Sequence, residues 1–296
     1  MKLASIEIIC RPATLPNRLQ IALYTGLALT AFAANSLICR IALGNGAIDP
    51  GSFTVLRLTS GAVMLWVVAA LLKQEDSPPH PGSYLSALML FTYAIAFSFA
   101  YASLSVATGA LILFGTVQVT MILAGLYNGE RPYPVEWGGL LIALAGLVYL
   151  MLPGLHAPPL LGGLLMAVAG AAWAIYSLRG RGARFPVTLT ADNFLRTIPL
   201  TLIMSLLLIR HIDITARGAL LAIASGALAS GLGYVIWYAA LKCISTTRAA
   251  TVQLLVPPIA AFGGVLLLDE LITPRLLIAA VLLLGGVGMG IAARHK

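Results

Sequence analysis

The side chains in this 296-residue chain that could do chemistry are few and far apart. Its ten acids are Glu7, Asp49, Glu75, Asp76, Glu130, Glu136, Asp192, Asp213, Asp269 and Glu270, and its four histidines are His80, His156, His211 and His295. They show no metal-ligand spacing, and no nucleophile–base pair or carboxylate cluster shares one depth, so a metal, a cofactor and a membrane-embedded enzyme are disfavoured. Cys10, Cys39 and Cys243 are scattered and odd in number, which implies no disulfide framework. What is left is binding chemistry. Asn35, Gln118 and Gln253 are amides in apolar stretches. Each could hydrogen-bond an amino or carboxylate group, or serve as glue between helices at about 0.6 kcal/mol. Asp192 lies four residues before Arg196, on the same helical face, so that pair can neutralise itself. Arg57 has no acid in its own segment. It either extends to the membrane surface or points inward, where it would attract a carboxylate.

Aromatic residues form the second constellation. Tyr93, Phe97 and Tyr101 recur every four residues and share one helix face. Tyr234, Trp237 and Tyr238 cluster in a later segment, and Trp173 and Tyr176 in another. One reading is a cavity that accepts apolar or aromatic groups by ring packing; the other is an interfacial belt or ordinary helix packing. Tyr101, Tyr176 and Tyr238 stand near segment ends, where the second reading applies first. Tyr93, Phe97 and Trp173 lie deeper.

The elements that must position these residues follow from composition. The chain is 60% hydrophobic and only 9% charged, with a mean hydropathy of +0.97, against about 25% charged residues in soluble domains. That excludes a water-facing globule and implies an all-α polytopic membrane protein in a lipid bilayer. The net charge of +8 then reflects basic loops rather than nucleic-acid binding. Residues 1–18 read as a short N-terminal tail. Ten apolar spans follow, near 19–43, 52–72, 83–103, 106–127, 135–152, 160–178, 190–209, 217–241, 247–268 and 274–292, each long enough to cross a bilayer. The ninth carries Pro257-Pro258 near its middle, where each proline removes a backbone donor and crowds the preceding turn. Pro257, Pro258 and Gly231 are the expected hinge positions, and Asp269-Glu270 is expected to close the ninth span in water. Loop arginines and lysines favour one side strongly, which predicts both termini inside and ten crossings. Gly138-Gly139 and Gly146, with Gly285, Gly286, Gly288 and Gly290, predict close helix approach within one chain, a dimer seam being the alternative.

The chain also repeats itself. Leu56-Arg57 matches Leu195-Arg196 at an offset of 139; Tyr101 and Leu104 match Tyr238 and Leu241 at 137; Glu130 and Pro134 match Glu270 and Pro274 at 140. Two five-span halves, 19–152 and 160–292, result. An odd number of spans makes the second half enter from the opposite side, so the repeats are inverted, with the site expected between them.

On DPGSFTVLRLTSG in the second span, GGLLMAVAGAAWAIYSLRGRG in the sixth and GYVIWYAALKCISTTRAATVQLLVPPIAAFGGVLLLDELITP in the eighth and ninth, the chain resembles the drug/metabolite transporter superfamily, in its ten-helix EamA-type branch. The resemblance covers nearly the whole chain and implies export of small metabolites across the inner membrane by alternating access. Amino-acid exporters of the YddG type are the most similar sort, which implies neutral or aromatic amino acids as substrate. Other metabolites or drugs as cargo, and a receptor or scaffold that transports nothing, are the alternatives. A monomer is expected, a dimer being the other option. Small multidrug exporters of the same superfamily rely on a membrane glutamate exchanged between protons and cationic drug. No acid is central in a span here, which disfavours that chemistry. In the family, the fourth span also carries proline; here Val117-Gln118 stands opposite Pro257-Pro258, so the two halves are not expected to hinge alike.

Overall fold

The computed structural model describes residues 18–72, 82–127, 134–152, 157–181, 183–241 and 252–293. The N-terminal tail apart from Arg18, Glu130 and the first residues of the ninth span lie outside the described residues.

Ten helical spans run through the described residues. The first six are single helices: α1 (Arg18–Gly44), α2 (Pro50–Leu72), α3 (Tyr84–Tyr101), α4 (Val106–Tyr127), α5 (Pro134–Met151) and α6 (Leu160–Gly180). The seventh span is α7 (Pro186–Leu195) followed by α8 (Ile198–Leu207). The eighth is α9 (Ala216–Ala224), a π-helical segment Ser225–Leu232, and α10 (Gly233–Leu241). The ninth contains α11 (Val256–Leu268) and the tenth is α12 (Pro274–Ala293). Six of these spans are long and apolar enough, over their described residues, to cross a membrane. Large apolar side chains such as Trp66, Leu206, Leu207, Phe262 and Val281 point outward, as a lipid-facing surface requires and a water-facing one forbids.

Local chemistry explains the starts and breaks. Ser83 caps α3 by accepting from the Ser86 amide at 3.1 Å, and Thr215 caps α9 by accepting from Gly218 at 3.1 Å. Asp49 accepts from the Ser52 amide at 2.9 Å at the head of α2, where Pro50 needs no amide partner. The seventh span breaks at Arg196-Thr197 because Pro199, at the second position of α8, has no N–H to offer the preceding turn.

Two expectations need correction. Pro257-Pro258 does not bend a continuous helix. A turn at Leu254-Leu255 ends the segment before it, and Val256 starts a new helix with Pro257 at its second position. There the missing amide costs nothing, because first-turn amides have no intrahelical acceptor. Nor does Glu270 lie in water. Its side chain is 14% exposed and pairs with Arg40 at 3.4 Å. Its other oxygen accepts from the Val106 amide at 2.8 Å, at the N-terminus of α4. Asp269 ends α11 in the left-handed region at φ 51°, and the Glu270 amide donates back to Gly264; that reversal turns the carboxylate inward.

The packing repeats as the sequence does. α3 packs on α6 as the π segment and α10 pack on α1, and α4 on α6 as α11 on α1. The pairs α2 with α7, α4 with α11 and α5 with α12 each join matched spans of the two halves. α5 and α12 lie close because a Cβ on Gly286 would meet the Gly139 carbonyl at 2.5 Å, and one on Gly146 would meet Leu282 at 2.8 Å. Gly139, Gly146 and Gly286 therefore serve contacts within one chain, whereas a Cβ on Gly138, Gly285 or Gly288 would meet nothing within 4 Å, so the expectation of close approach does not hold for those three.

Candidate functional site

Arg57 is the organising residue of the interior. It is 1% exposed, so the alternative in which it extends to the surface is overturned. Its Nη2 donates to the Tyr93 hydroxyl at 3.0 Å and its Nε to Ser230 Oγ at 3.3 Å. Its Cζ stands 5.1 Å from the Tyr93 ring centre and 4.9 Å from that of Phe97, both within cation–π range. Nη1 is buried without a hydrogen-bond partner, and among the described residues no carboxylate pairs with the group. A charge in that position costs several kcal/mol unless something else compensates it.

A glycine-permitted approach places it. A Cβ on Gly226 would strike the Arg57 carbonyl and Ser60 Oγ, so the π segment crosses α2 in direct backbone contact at this level. The π winding, marked by the Gly233 amide reaching back five residues to Leu228, brings Ser225 and Ser230 to one side. Ser225 donates to Asn35 Oδ1 at 2.6 Å, and Asn35 Nδ2 donates to the Tyr93 hydroxyl at 3.5 Å. A polar chain therefore runs Ser225–Asn35–Tyr93–Arg57–Ser230 through four spans. Gly231 lies beside it, where a Cβ would meet the Gly226 carbonyl at 3.3 Å and Met64 at 3.4 Å.

Aromatic rings surround this chain. Trp173 stands 5.1 Å from Tyr93 and 4.9 Å from Tyr234, and Phe32 meets Trp173, Tyr234 and Trp237 edge-on at 6.0, 6.1 and 5.7 Å. Between them is a cavity of about 20 Å³, lined in part by Asn35, Tyr93, Phe97, Phe114, Trp173 and Tyr234. That holds one water at most. The aromatic stripes therefore converge as one cluster, but packed shut. Arg57 sits one side chain behind its wall.

Of the residues singled out by sequence, Asn35, Tyr93, Phe97, Trp173 and Tyr234 line the cavity. Tyr101, Tyr176 and Trp237 join at its margins, against Phe97 at 4.7 Å, Trp173 at 5.7 Å and Phe32. For Tyr101, Tyr176 and Tyr238 the interfacial belt is excluded, because all three are buried; ordinary helix packing, the other half of that reading, agrees with their burial. Gln118 and Gln253 are buried but lie outside the cavity lining. Asp192 and Arg196 pair at 3.0 Å; Asp192 also accepts from the Gly82 amide at 2.8 Å, and Arg196 covers the Tyr84 ring at 4.6 Å. Phe32, Ser225, Gly226 and Ser230 are additions that the sequence reading lacks. Phe32 lies three residues before Asn35 and shares its face, a signal that was there to use.

The bundle is fastened at the end that carries the α1–α2 and α8–α9 connections. Ile48 and Ile214 form a β-bridge, Asp49 and Asp213 exchange bonds at 2.9 and 3.1 Å, and Thr215 donates to the Ala47 carbonyl at 2.6 Å. At the same end Arg40 joins Glu270 and donates to the carbonyls of Tyr101 and Ala102 at 3.2 and 3.4 Å. One carboxylate and one guanidinium thus tie the ends of four spans.

Comparison with known proteins identifies the family and the fold. The model of the EamA-like transporter family matches residues 20–152 and again 160–291. A protein of Pseudomonas aeruginosa, described as uncharacterized, is 48% identical over 92% of this chain and 94% of its own length. A transporter of Archaeoglobus fulgidus is 29% identical, covering 91% and 97%. The threonine/homoserine exporter RhtA of Escherichia coli is 28% identical over 65% of this chain and 67% of its own. A solved crystal structure superposes with a TM-score of 0.65 at 19% identity, covering 95% of this chain and all of that one.

Proposed function

The chain belongs to the EamA-like transporter family, and from that premise we propose that this multi-pass membrane transporter exports small carboxylate-bearing metabolites, neutral and aromatic amino acids among them. The observation that carries the reading is the buried guanidinium of Arg57, which pairs with no carboxylate among the described residues and has an unbonded Nη1, placed behind an aromatic cluster at the junction of both halves. A carboxylate is the ligand that would satisfy that donor and its charge together. The rings of Trp173, Tyr234 and Phe32 would take the apolar part of the ligand. The exporters named among the relatives support the substrate class.

The proposed route is alternating access in the cytoplasmic membrane, with both termini inside. The fastened end is then the outer one, and the tightly packed cluster corresponds to an occluded state. The Pro257-Pro258 helix start and the π segment at Gly231 are the proposed flexing points, both in the second half. Proteoliposomes preloaded with labelled amino acids test the reading: efflux should exceed that from protein-free liposomes and should fall to that background in Arg57→Gln. Efflux equal to protein-free liposomes across the common amino acids ends it.

A further inference from the structure

We infer that the central site recognises its ligand as a carboxylate anion and does not read an amino group, so that organic monocarboxylates lacking the ammonium are bound at least as well as the matching amino acids. The inference deepens the carrier reading above and rests on it for its statement about transport.

The argument is one of charge placement. Arg57 contributes a full positive charge about one ring's thickness from the cavity. Nothing lining the cavity is acidic. The carboxylates of Asp192 and Glu270 are held by other arginines, Arg196 and Arg40, and that of Asp49 by the amides of Ser52 and Asp213. A monocarboxylate entering the cavity therefore makes the pair neutral. A zwitterion brings the same carboxylate plus an ammonium that finds no counter-charge. Its acceptors are ring faces and neutral oxygens only: the Tyr93 hydroxyl, which already accepts from Arg57 and Asn35, Asn35 Oδ1, which already accepts from Ser225, and the unbonded hydroxyls of the lining residues Ser36 and Tyr234, none of which brings a negative charge to set against the ammonium. An ammonium needs several acceptors at close range when water is excluded. A plain amine meets a like charge and gains nothing.

A consequence for energetics follows. No acid is central in a span to carry a coupling proton. If the cargo is an anion and the site's own cation stays near mid-membrane, each export event moves one negative charge outward. A membrane potential negative inside drives that movement directly.

Two ligand triads test the inference, each with one apolar skeleton and three charge states: 3-phenylpropanoate, phenylalanine and 2-phenylethylamine; 4-methylpentanoate, leucine and 3-methylbutylamine. Trp173 and Trp237 sit in the cluster, and the lipid-facing Trp66 and Trp137 can be changed to Phe, so tryptophan fluorescence of the purified full chain reports binding. In at least one triad the carboxylate should bind as tightly as the amino acid or tighter, and the amine at least thirtyfold more weakly. Arg57→Lys should keep that order with all affinities reduced, and Arg57→Gln should erase the difference between acid and amine. An amino acid binding tenfold better than its deaminated analogue overturns the inference, as does preferred binding of the amine or silence from all six ligands. In proteoliposomes, a potential negative on the loaded side should speed carboxylate efflux severalfold and leave phenylalanine efflux unchanged; carboxylate efflux indifferent to potential overturns the charge-movement part. Carboxylate binding with no flux of any ligand sustains the recognition and removes the carrier reading. Amino-acid flux without carboxylate binding does the reverse.

Discussion

Arg57 and Arg196 occupy matched positions in two copies of one five-span unit, 139 residues apart, and meet opposite environments. Arg196 has Asp192 one turn earlier at 3.0 Å and remains partly exposed. Arg57 has Phe53 at the corresponding place, fully buried, and so keeps its charge uncompensated in the interior. One residue separates a structural ion pair from a candidate anion site. The surrounding helices differ in the same sense. In the first half, α3 and α4 are unbroken; in the second, their counterparts carry a π segment and a restart at Val256. The first copy supplies charge and a rigid ring stripe, and the second supplies the irregular backbone that bends around them. Duplication gives two equivalent scaffolds, and a few substitutions assign them different work.

The comparison can be broken most severely by making the halves alike. Phe53→Asp should give Arg57 the partner that Arg196 has and lower ligand affinity about a hundredfold, roughly 2.7 kcal/mol. Phe53→Asn, similar in size to the aspartate but uncharged, should keep affinity within a few-fold. Equal losses in both variants, measured by fluorescence titration, would show that packing rather than charge sets the site. Next in size is Gly226→Ala. Its methyl would press on the Arg57 backbone, and overpacking of that kind costs about 1–3 kcal/mol, seen as a lower unfolding temperature in detergent. Gly231→Ala, with contacts no closer than 3.3 Å, should stay within about 1 kcal/mol of the parent, since Ala also favours helix. If the two glycine variants behave alike, the close crossing of α2 and the π segment is not what holds Arg57.

Glu270→Gln tests the fastened end. It removes the Arg40 ion pair and weakens the charge at the head of α4, together about 1–2 kcal/mol for a partly buried group. A cysteine placed at Ser103 should then react faster with a membrane-impermeant thiol reagent; an unchanged rate would mean that the remaining bonds at this end, among them the Ile48–Ile214 bridge and the Asp49–Asp213 pair, keep it closed without the Glu270 charge. The smallest effect is reserved for Asp192→Asn. It leaves Arg196 without its near carboxylate, but Arg196 is partly solvated, so stability should fall by only about 1 kcal/mol and ligand affinity should not change.

Much of this architecture is legible in the chain. Apolar length alone locates the ten spans, since a bilayer allows little variation in how long a crossing segment is. The near-equal offsets expose the duplication, because matched residues recur along the chain whatever its fold, and the spacing of Asp192 and Arg196 foretells their pairing, because that needs only the α-helical period. The interior is less legible for specific reasons. A helix that is apolar on every side does not announce which face is inward, so Arg57 has two open fates until α2 is placed between α3 and the π segment. Ser225 and Ser230 are five residues apart, which on an α-helix places them about 140° apart; they converge only because the backbone there is wound more loosely, and nothing in SGALASGL reports that. Pro257-Pro258 reads as a bend because the span looks continuous, whereas a proline pair is equally at home in the first turn of a new helix. Glu270 reads as water-facing because acids at span ends usually are, and its pairing with Arg40 requires contact across 230 residues of chain.

The loosely wound stretch from Ser225 to Leu232 has an evolutionary corollary. A π turn contains roughly one residue more than the α turn it replaces, as if a single amino acid had been inserted into an ordinary helix without disturbing either flank. A chain shortened by one residue beyond Ser230, by loss of Leu232, would return to regular winding, keep Tyr234 and Trp237 in register with their neighbours, and still span the bilayer, with its serines still five residues apart and so about 140° apart. It would lose only the coincidence of the two serines on one side. Such a deletion variant would separate being a well-folded member of this fold from being one that can cradle a guanidinium, a distinction that point substitutions draw less cleanly.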